Sequence, residues 1–399
     1  MFLRLKDHRI LLLGIVISAF ILSVVIRLPY IYQVDWLSSH ALRTQQIWYE
    51  NGAVANKFLP IVTYQNNSDR NINNQGHEID KKGDYYYISY PPFSYIFSYL
   101  MFRFFNIYPN ILFLQILNMV IHLFCCLFVY WIIGVITRKD YVRKMNMSAL
   151  VGMGVYLFSP ATLLFHSQTY FADILVQLFF LMGTFIFLRI IKDGFSRRDC
   201  VGLGLVCFLM IYTEWLGVFF AFAVGLYLLF NLKRSGMKTV LLTVTLSSIA
   251  SLILIVGQYC LINGSKNLVI AMFKTYQLRN GLTSASEYNF TFWNIDSWRN
   301  LVIFYRDGYL PFLILFIFFL FNSYILKVFR KIGIDNLEKT TLYLCVVPVL
   351  LHHLFLFNHY VVHSFSVVKD GVILSLLTAF FYRRIICNEV QYKCFNLKG

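Results

Sequence analysis

The sequence predicts an all-α polytopic membrane protein with about ten transmembrane helices. Three observations predict it. The 399 residues are 58% hydrophobic and only 14% charged, where an average soluble domain carries roughly 25% charge. Apolar runs of roughly 18 residues or more recur along the chain, long enough to span a bilayer core. The short connections between them are basic on one side only. The runs are too long and too continuously apolar for barrel strands, so helices must satisfy the backbone in lipid. An ordinary soluble protein, a disordered chain and a small secreted scaffold are excluded.

Ten spans fit in order, at about 10–27, 110–137, 148–166, 170–190, 200–214, 216–232, 239–262, 308–328, 340–357 and 361–382. The first follows a basic start and lacks a small-residue cleavage site before Arg27-Leu28-Pro29. It therefore reads as an anchor that stays, not a signal peptide. The loop 28–92 follows. In it Ser38 or Ser39 caps a helix through Glu50, and Gly52 ends it. Leu42, Trp48 and Tyr49 fall where they lie in the membrane interface, and His40, Arg43 and Thr44 share one face. The loop returns through a strand-like run, 84–90, to Pro91-Pro92, and the prolines forbid helix before Phe93. Residues 93–105 are apolar but short for a span. Counting them as one would put the basic loop at Arg138-Lys139 outside, so they read as a re-entrant or interfacial helix on the external side. Glu214 reads as a turn residue between two spans. A second external loop covers 263–307, and a short external turn covers 358–370. The chain 1–399 is one unit with no internal repeat. The Asn-rich stretch 66–74 reads as surface loop.

The formal charge of +16 invites a nucleic-acid reading, but its distribution argues otherwise. The connections assigned to the cytoplasm hold 22 of the 35 basic residues and 7 of the 19 acids. Nearly all the excess is therefore positive-inside bias, with both termini cytoplasmic and no nucleic-acid partner. None of the eight cysteines lies in the two long external loops. Neither a disulfide framework nor a metal-type spacing follows. The cytoplasmic loops leave no room for a domain, so any chemistry belongs on the external face.

Two acids stand at that face. Asp35 follows the first span by eight residues, and a carboxylate at the membrane edge is expensive unless used. Asp173 opens the fourth span, where a helix dipole favours an acid with or without a function. His40 and Arg43 are candidate substrate contacts. Tyr90, locked before two prolines, is the best sugar-stacking candidate in a tyrosine run, 85–90, that otherwise reads as an interfacial belt. Lys369 either binds phosphate or snorkels at the interface. His359 and His363, four apart, share a helix face, but no third zinc ligand is evident, so no metal and no cofactor are expected. His352-His353 packs or bonds within the bundle. Lys274, Arg279, Arg299 and Arg306 in the second loop are not separable by sequence.

The order of these features resembles the GT-C superfamily of polyprenyl-phosphate-sugar-dependent glycosyltransferases, nearest the protein O-mannosyltransferase and aminoarabinose transferase group. The resemblance rests on a span, an acid just outside it, an interfacial helix ending at Trp48-Tyr49-Glu50-Asn51-Gly52, and a Tyr90-Pro91-Pro92 turn into a short helix. It covers most of the chain in topology. At motif level it covers about 35–105, 170–173 and 358–370. The resemblance implies that Asp35 is the base activating the acceptor, that Asp173 is a second catalytic acid, and that His359, His363 and Lys369 help bind the donor phosphate. Two departures stand out: Trp36 follows Asp35 where a second acid is common, and Ser89-Tyr90 precedes the prolines where some members carry an acid.

The implied function is inverting transfer of a sugar from a polyprenyl (undecaprenyl) phosphate donor to a hydroxyl of a cell-envelope glycan, lipid or protein. A phosphate leaving group needs little acid help. It needs a base for the acceptor and positive charge for the departing phosphate. The expected partners are the donor, the acceptor and the bilayer, and the expected place is a bacterial inner membrane. Asn66, Asn263 and Asn289 are formal N-glycosylation acceptors that also fit a lumenal eukaryotic setting. The competing reading is a transporter or flippase. Acids at the outer edge, asymmetric external loops and the lack of a repeat argue against it. A ligase or polymerase of lipid-linked polysaccharide belongs to the same broad fold, but typically relies on a late loop rich in Arg and His.

Overall fold

The computed structural model describes residues 5–31, 36–63, 77–137, 146–168, 170–282, 290–325 and 335–396. Helix α1 (Leu5–Arg27) is followed by a short 3-10 helix (Leu28–Tyr30) and by α2 (Trp36–Asn51). Strands β1 (His77–Ile79) and β2 (Tyr85–Tyr87) pair antiparallel, His77 opposite Tyr87. Then come α3 (Phe93–Phe104), α4 (Ile111–Thr137), α5 (Met147–Phe158), α6 (Pro160–Gln168), α7 (Ala172–Asp193), α8 (Arg197–Thr213) and α9 (Leu216–Leu229). After them α10 (Met237–Asn263), α11 (Ser265–Asn280), α12 (Ile295–Ile325), α13 (Asn336–Phe355) and α14 (Phe357–Val362) lead to a second 3-10 segment (Ser364–Asp370). The described chain closes with α15 (Gly371–Asn396).

Among the described residues, five helices are long and apolar enough to cross a membrane: α4, α7, α10, α12 and the 3-10 segment continued by α15. The α5–α6 pair makes a sixth if counted as one span. The chain is a multi-pass integral membrane protein. The other expected spans coincide with α1, α8, α9 and α13, which are shorter or less apolar. Helix α7 is the axis, buried nearly all round against α4, α8 and α13. Only 22% and 17% of the most apolar stretches of α10 and α12 are buried. Such helices, apolar on every side, face lipid.

The structure corrects the sequence reading at five places. The span expected at 148–166 is broken, and α5 meets α6 at 54°. Pro160 supplies no N–H and holds Ser159 extended (φ −60°, ψ 131°), which ends α5. The loop 263–307 is largely helix, since α11 fills its first part and α12 begins at Ile295. Helix α2 begins at Trp36, so Ser38 does not cap it. Ser38 Oγ donates to Gln168 O (2.9 Å) and accepts from Tyr170 N (2.9 Å). Trp48 is not interfacial: it is fully buried and donates to Leu59 O at 3.1 Å. The tyrosine run is not a belt throughout, because Tyr87 is buried on β2. The chain is also not purely helical, although its only described sheet is this two-stranded hairpin.

At the α8–α9 junction backbone meets backbone closely. A Cβ on Gly217 would lie 2.5 Å from Ile211 N and 2.6 Å from Met210 C, both backbone atoms that cannot swing away. Gly217→Ala is expected to cost about 1–3 kcal/mol. Gly154→Ala, with open space at the Cβ, is expected to be neutral or slightly stabilising by helix propensity. Thermal unfolding of both purified variants in one detergent checks the contrast, and equal midpoints would remove the junction as a constraint.

Candidate active site

The buried charges gather at the end of the bundle where α7 begins. Asp173 stands in the first turn of α7 and is shut off from solvent. There the helix dipole favours a carboxylate. Its Oδ1 pairs with Lys369 Nζ, which the second 3-10 segment supplies from 196 residues further along. Lys369 Nζ also lies 3.8 Å from Glu214 Oε1. Glu214 occupies the break between α8 and α9. Its Oε2 accepts from Leu216 N at 2.8 Å, which starts α9, and its Oε1 meets His352 Nε2 of α13 at 2.6 Å. His352 Nδ1 reaches Tyr360 Oη of α14 at 2.9 Å, and Lys369 Nζ stands 5.5 Å from the centre of the Tyr360 ring. Each buried ion costs several kcal/mol to desolvate, and only such mutual pairing offsets that. Asp173 Oδ2 is buried with no hydrogen-bond partner among the described residues.

A cationic and aromatic cluster adjoins this network. Tyr90 is fully buried, packs on Phe171 just before α7 (5.2 Å between ring centres) and shares a 2.8 Å hydrogen bond with His359 Nε2. Tyr259 Oη donates to Tyr90 O, and Trp215 Nε1 donates to Ser89 O at 2.9 Å, so the turn before the prolines is held on both sides. The Arg279 guanidinium of α11 lies 4.2 Å from the Tyr90 ring centre. Its Nη2 donates to Tyr87 Oη at 3.3 Å, and its Nη1 has no partner among the described residues. Arg279 is the one charged residue, among those described, lining a cavity of about 320 Å³ walled by Trp215, Val218, Phe219, Leu252 and Met272. A second apolar cavity of about 450 Å³ in the α9–α10 seam shares Val218 and Leu252 with it.

The structure thus brings together five of the eight residues singled out from sequence: Asp173, Tyr90, His359, His363 and Lys369. His363 lies 4.6 Å from His359, ring centre to ring centre. His40 is placed one shell away: buried, its Nε2 3.1 Å from His77 Nε2, its Nδ1 3.3 Å from Tyr95 Oη and its ring against Tyr87. Arg43 donates to Val62 O at 3.3 Å and braces the loop after α2. Asp35 lies outside the described residues. Sequence reading missed Glu214, taken for a plain turn residue, and did not separate Arg279 from its neighbours. An acid at a break between two apolar runs was the available signal for Glu214, whereas Arg279 had none.

No family model matches the sequence, and no curated protein matches it. Solved structures do resemble the fold. ArnT from Cupriavidus metallidurans bound to undecaprenyl phosphate superposes with a TM-score of 0.56 at 11% identity, covering 96% of this chain and 63% of that one. The archaeal oligosaccharyltransferase AglB from Archaeoglobus fulgidus, in complex with an inhibitory peptide and a dolichol-phosphate, gives 0.55 at 10% identity, covering 97% and 52%. The chain therefore spans about half to two thirds of the length of these proteins. It has the GT-C-like fold that its sequence resembles.

Lys369 separates two buried carboxylates. Lys369→Met is expected to lose about 3–5 kcal/mol of stability, since it leaves Asp173 without its cation and Glu214 with His352 alone. Adding Asp173→Asn removes one of them and is expected to recover part of the loss. Unfolding midpoints of the two single variants and the double variant give the coupling, and strictly additive losses would show that the pair is not the anchor.

His40 offers a pH test. Burial first, then His77 and Arg43, hold its pKa down from 6.5 to about 3. Between those values the unfolded chain binds the proton and the folded one does not, so stability falls as pH drops from about 6.5 toward 3. His40→Gln is expected to flatten the fall in unfolding midpoint from pH 7 to pH 4. An unchanged slope would assign it to other groups.

Proposed function

We propose that this protein is an inverting glycosyltransferase that takes a sugar from a polyprenyl phosphate and places it on a hydroxyl of a cell-envelope glycan, lipid or protein. The observation that carries the reading is the join between an apolar cavity, ending on Arg279, and the buried Lys369–Asp173–Glu214 network. A polyprenyl phosphate is an apolar chain with an anionic head, and that join suits both parts. On this reading the chain lies along the α9–α10 seam, and Arg279 holds the phosphate through its unfilled Nη1. Tyr90 and His359 bound the sugar. As the bond from anomeric carbon to phosphate breaks, charge grows on the phosphate oxygens. Arg279, with Lys369 behind it, stabilises that charge without a general acid.

The acceptor hydroxyl needs a base. Asp35 is our assignment. Ser38, three residues beyond it, is fastened to Gln168 O and Tyr170 N at the approach to Asp173. Asp173 Oδ1 is taken up by Lys369, so we assign Asp173 to holding Lys369 and, through Oδ2, to orienting substrate. No step is routed through a metal or cofactor. We further propose ten membrane crossings, both termini cytoplasmic, and an active site on the external face of a bacterial inner membrane. The two neighbours were solved with undecaprenyl phosphate and dolichol-phosphate, which supports the donor class.

The test is transfer of labelled sugar from a panel of polyprenyl-phosphate sugars by the purified protein and three variants. Asp35→Asn is expected to lower kcat by about 10²–10⁴ with donor binding retained. Arg279→Gln is expected to raise the donor KM about 10–100-fold, as loss of a charge-assisted contact should. Asp173→Asn is expected to lower both kcat and stability. Full activity in Asp35→Asn would pass the base role to Asp173. No turnover with any donor, together with substrate-dependent movement of lipid across vesicles, would favour the flippase instead.

A further inference from the structure

The opposite end of the bundle holds a third, differently built cavity. It measures about 830 Å³ and lies where α4 and α7 end, α9 turns into α10, and α13 begins. Helix α7 alone separates it from Asp173 by about 30 Å, so it has no part in the active site. Three cations line it: Lys192, Arg234 and Lys339. Among the described residues the one acid on its wall, Asp335, is occupied as the cap of α13, accepting from Leu337 N at 3.4 Å in a box closed by Glu338. Glu338 is in turn taken by Arg384 (2.6 Å) and Arg383 (3.3 Å). Positive charge therefore prevails around an open polar space.

Two of the cations are fixed from behind. Lys192 Nζ donates to Val135 O at the end of α4, and Arg234 Nη2 donates to Ile191 O at the end of α7 (3.1 Å). These bonds answer the negative ends of two helices. Thr137, Asn231 and Thr340 add neutral polar groups, and Ile136, Ile191 and Leu337 add apolar ones. Cations, neutral polar groups and apolar side chains around one open space form a frame for a phosphate diester carrying acyl chains.

We propose that this cavity binds the phosphate headgroup of an anionic membrane lipid. The ligand class is a phosphate, and the lipid is its source because the cavity opens at the end of the bundle that gathers the basic clusters of the sequence. Anionic lipid is concentrated beside such segments. Binding there ties the ends of α4, α7, α9 and α13 together.

The experiment measures thermal unfolding of the full-length protein with phosphatidylglycerol vesicles, with phosphatidylcholine vesicles and with inorganic phosphate. Phosphatidylglycerol is expected to raise the midpoint by several degrees, and the other two are expected to have little effect. Lys339→Gln, which leaves both backbone bonds in place, is expected to weaken the apparent affinity for phosphatidylglycerol at least threefold. Adding Arg234→Gln is expected to abolish the response. Lys238→Gln, an exposed cation on α10 outside the cavity wall, is expected to respond like the parent. Equal stabilisation by the two lipids would overturn the proposal, as would an unaltered response in the double variant or an equal loss in Lys238→Gln. Full stabilisation by inorganic phosphate alone would replace the lipid with a soluble phosphate and overturn that assignment. None of these readings depends on sugar transfer.

Discussion

One lysine set between two carboxylates, all three beyond the reach of solvent, organises this molecule. Lys369 cannot sit where it does without Asp173, and Asp173 and Glu214 share Lys369 as their common cation. In an interior of low polarity, an unpaired member of such a set is far more costly than the set itself. Three segments distant in sequence are therefore held in one place: the start of α7, the α8–α9 break and the 3-10 segment before α15. His352 and Tyr360 extend the constraint to α13 and α14. Most of the helices that pack on α7 feel it directly or at one remove.

Four interruptions of helix among the described residues lie at the same end. The α5–α6 bend, the α8–α9 break, the second 3-10 segment and the Ser89-Tyr90-Pro91-Pro92 turn all interrupt helix there. Irregular backbone at membrane depth survives only where protein satisfies its polar groups. Each interruption here has such a partner: Trp215 and Tyr259 for the turn, Glu214 for the start of α9, Arg27 Nε for Leu163 O beside the bend, and Tyr309 Oη for Val367 O in the 3-10 segment. What the interruptions achieve is to point side chains inward at a helix end, where a continuous span would place them around its circumference.

Much of this was legible in the sequence, and the rest was hidden for definite reasons. Apolar runs located the helices because hydrophobic length is a local property. Charge segregation was legible too: Lys192, Arg234 and Lys339, read from three separate connections, line one cavity. Asp173 and Lys369 were singled out separately, but nothing in either neighbourhood told that they pair across 196 residues. Glu214 looked like a turn residue because it is one, and its second role depends on α13, which no local pattern reveals. Arg279 was one of four similar cations in a loop read as solvated. Only the folding of that loop into α11 set it over Tyr90. Trp48 and Tyr87 were misplaced for a related reason: aromatic residues suit both interfaces and cores, and the packing of Trp48 on Phe58 and Tyr99 and of Tyr87 on His40 and Phe171 decided between them.

The position of Arg279 has a consequence for how a substrate arrives. It lines a cavity that shares the wall residues Val218 and Leu252 with a second cavity in the α9–α10 seam. One wall of that seam is α10, a helix turned largely toward lipid. An amphiphile that stays in the bilayer can therefore slide its chain between α9 and α10 while its head moves toward the guanidinium, and no apolar surface has to cross water. A water-soluble substrate gains nothing from such a side opening. On the proposed reading the two substrates then approach differently. The donor comes laterally through the α9–α10 seam, and the acceptor comes from the aqueous side past the loop that follows α1. The Lys369–Asp173–Glu214 network lies between the two routes. A charge held there acts on the bond being broken while its own partners keep it from following the departing phosphate.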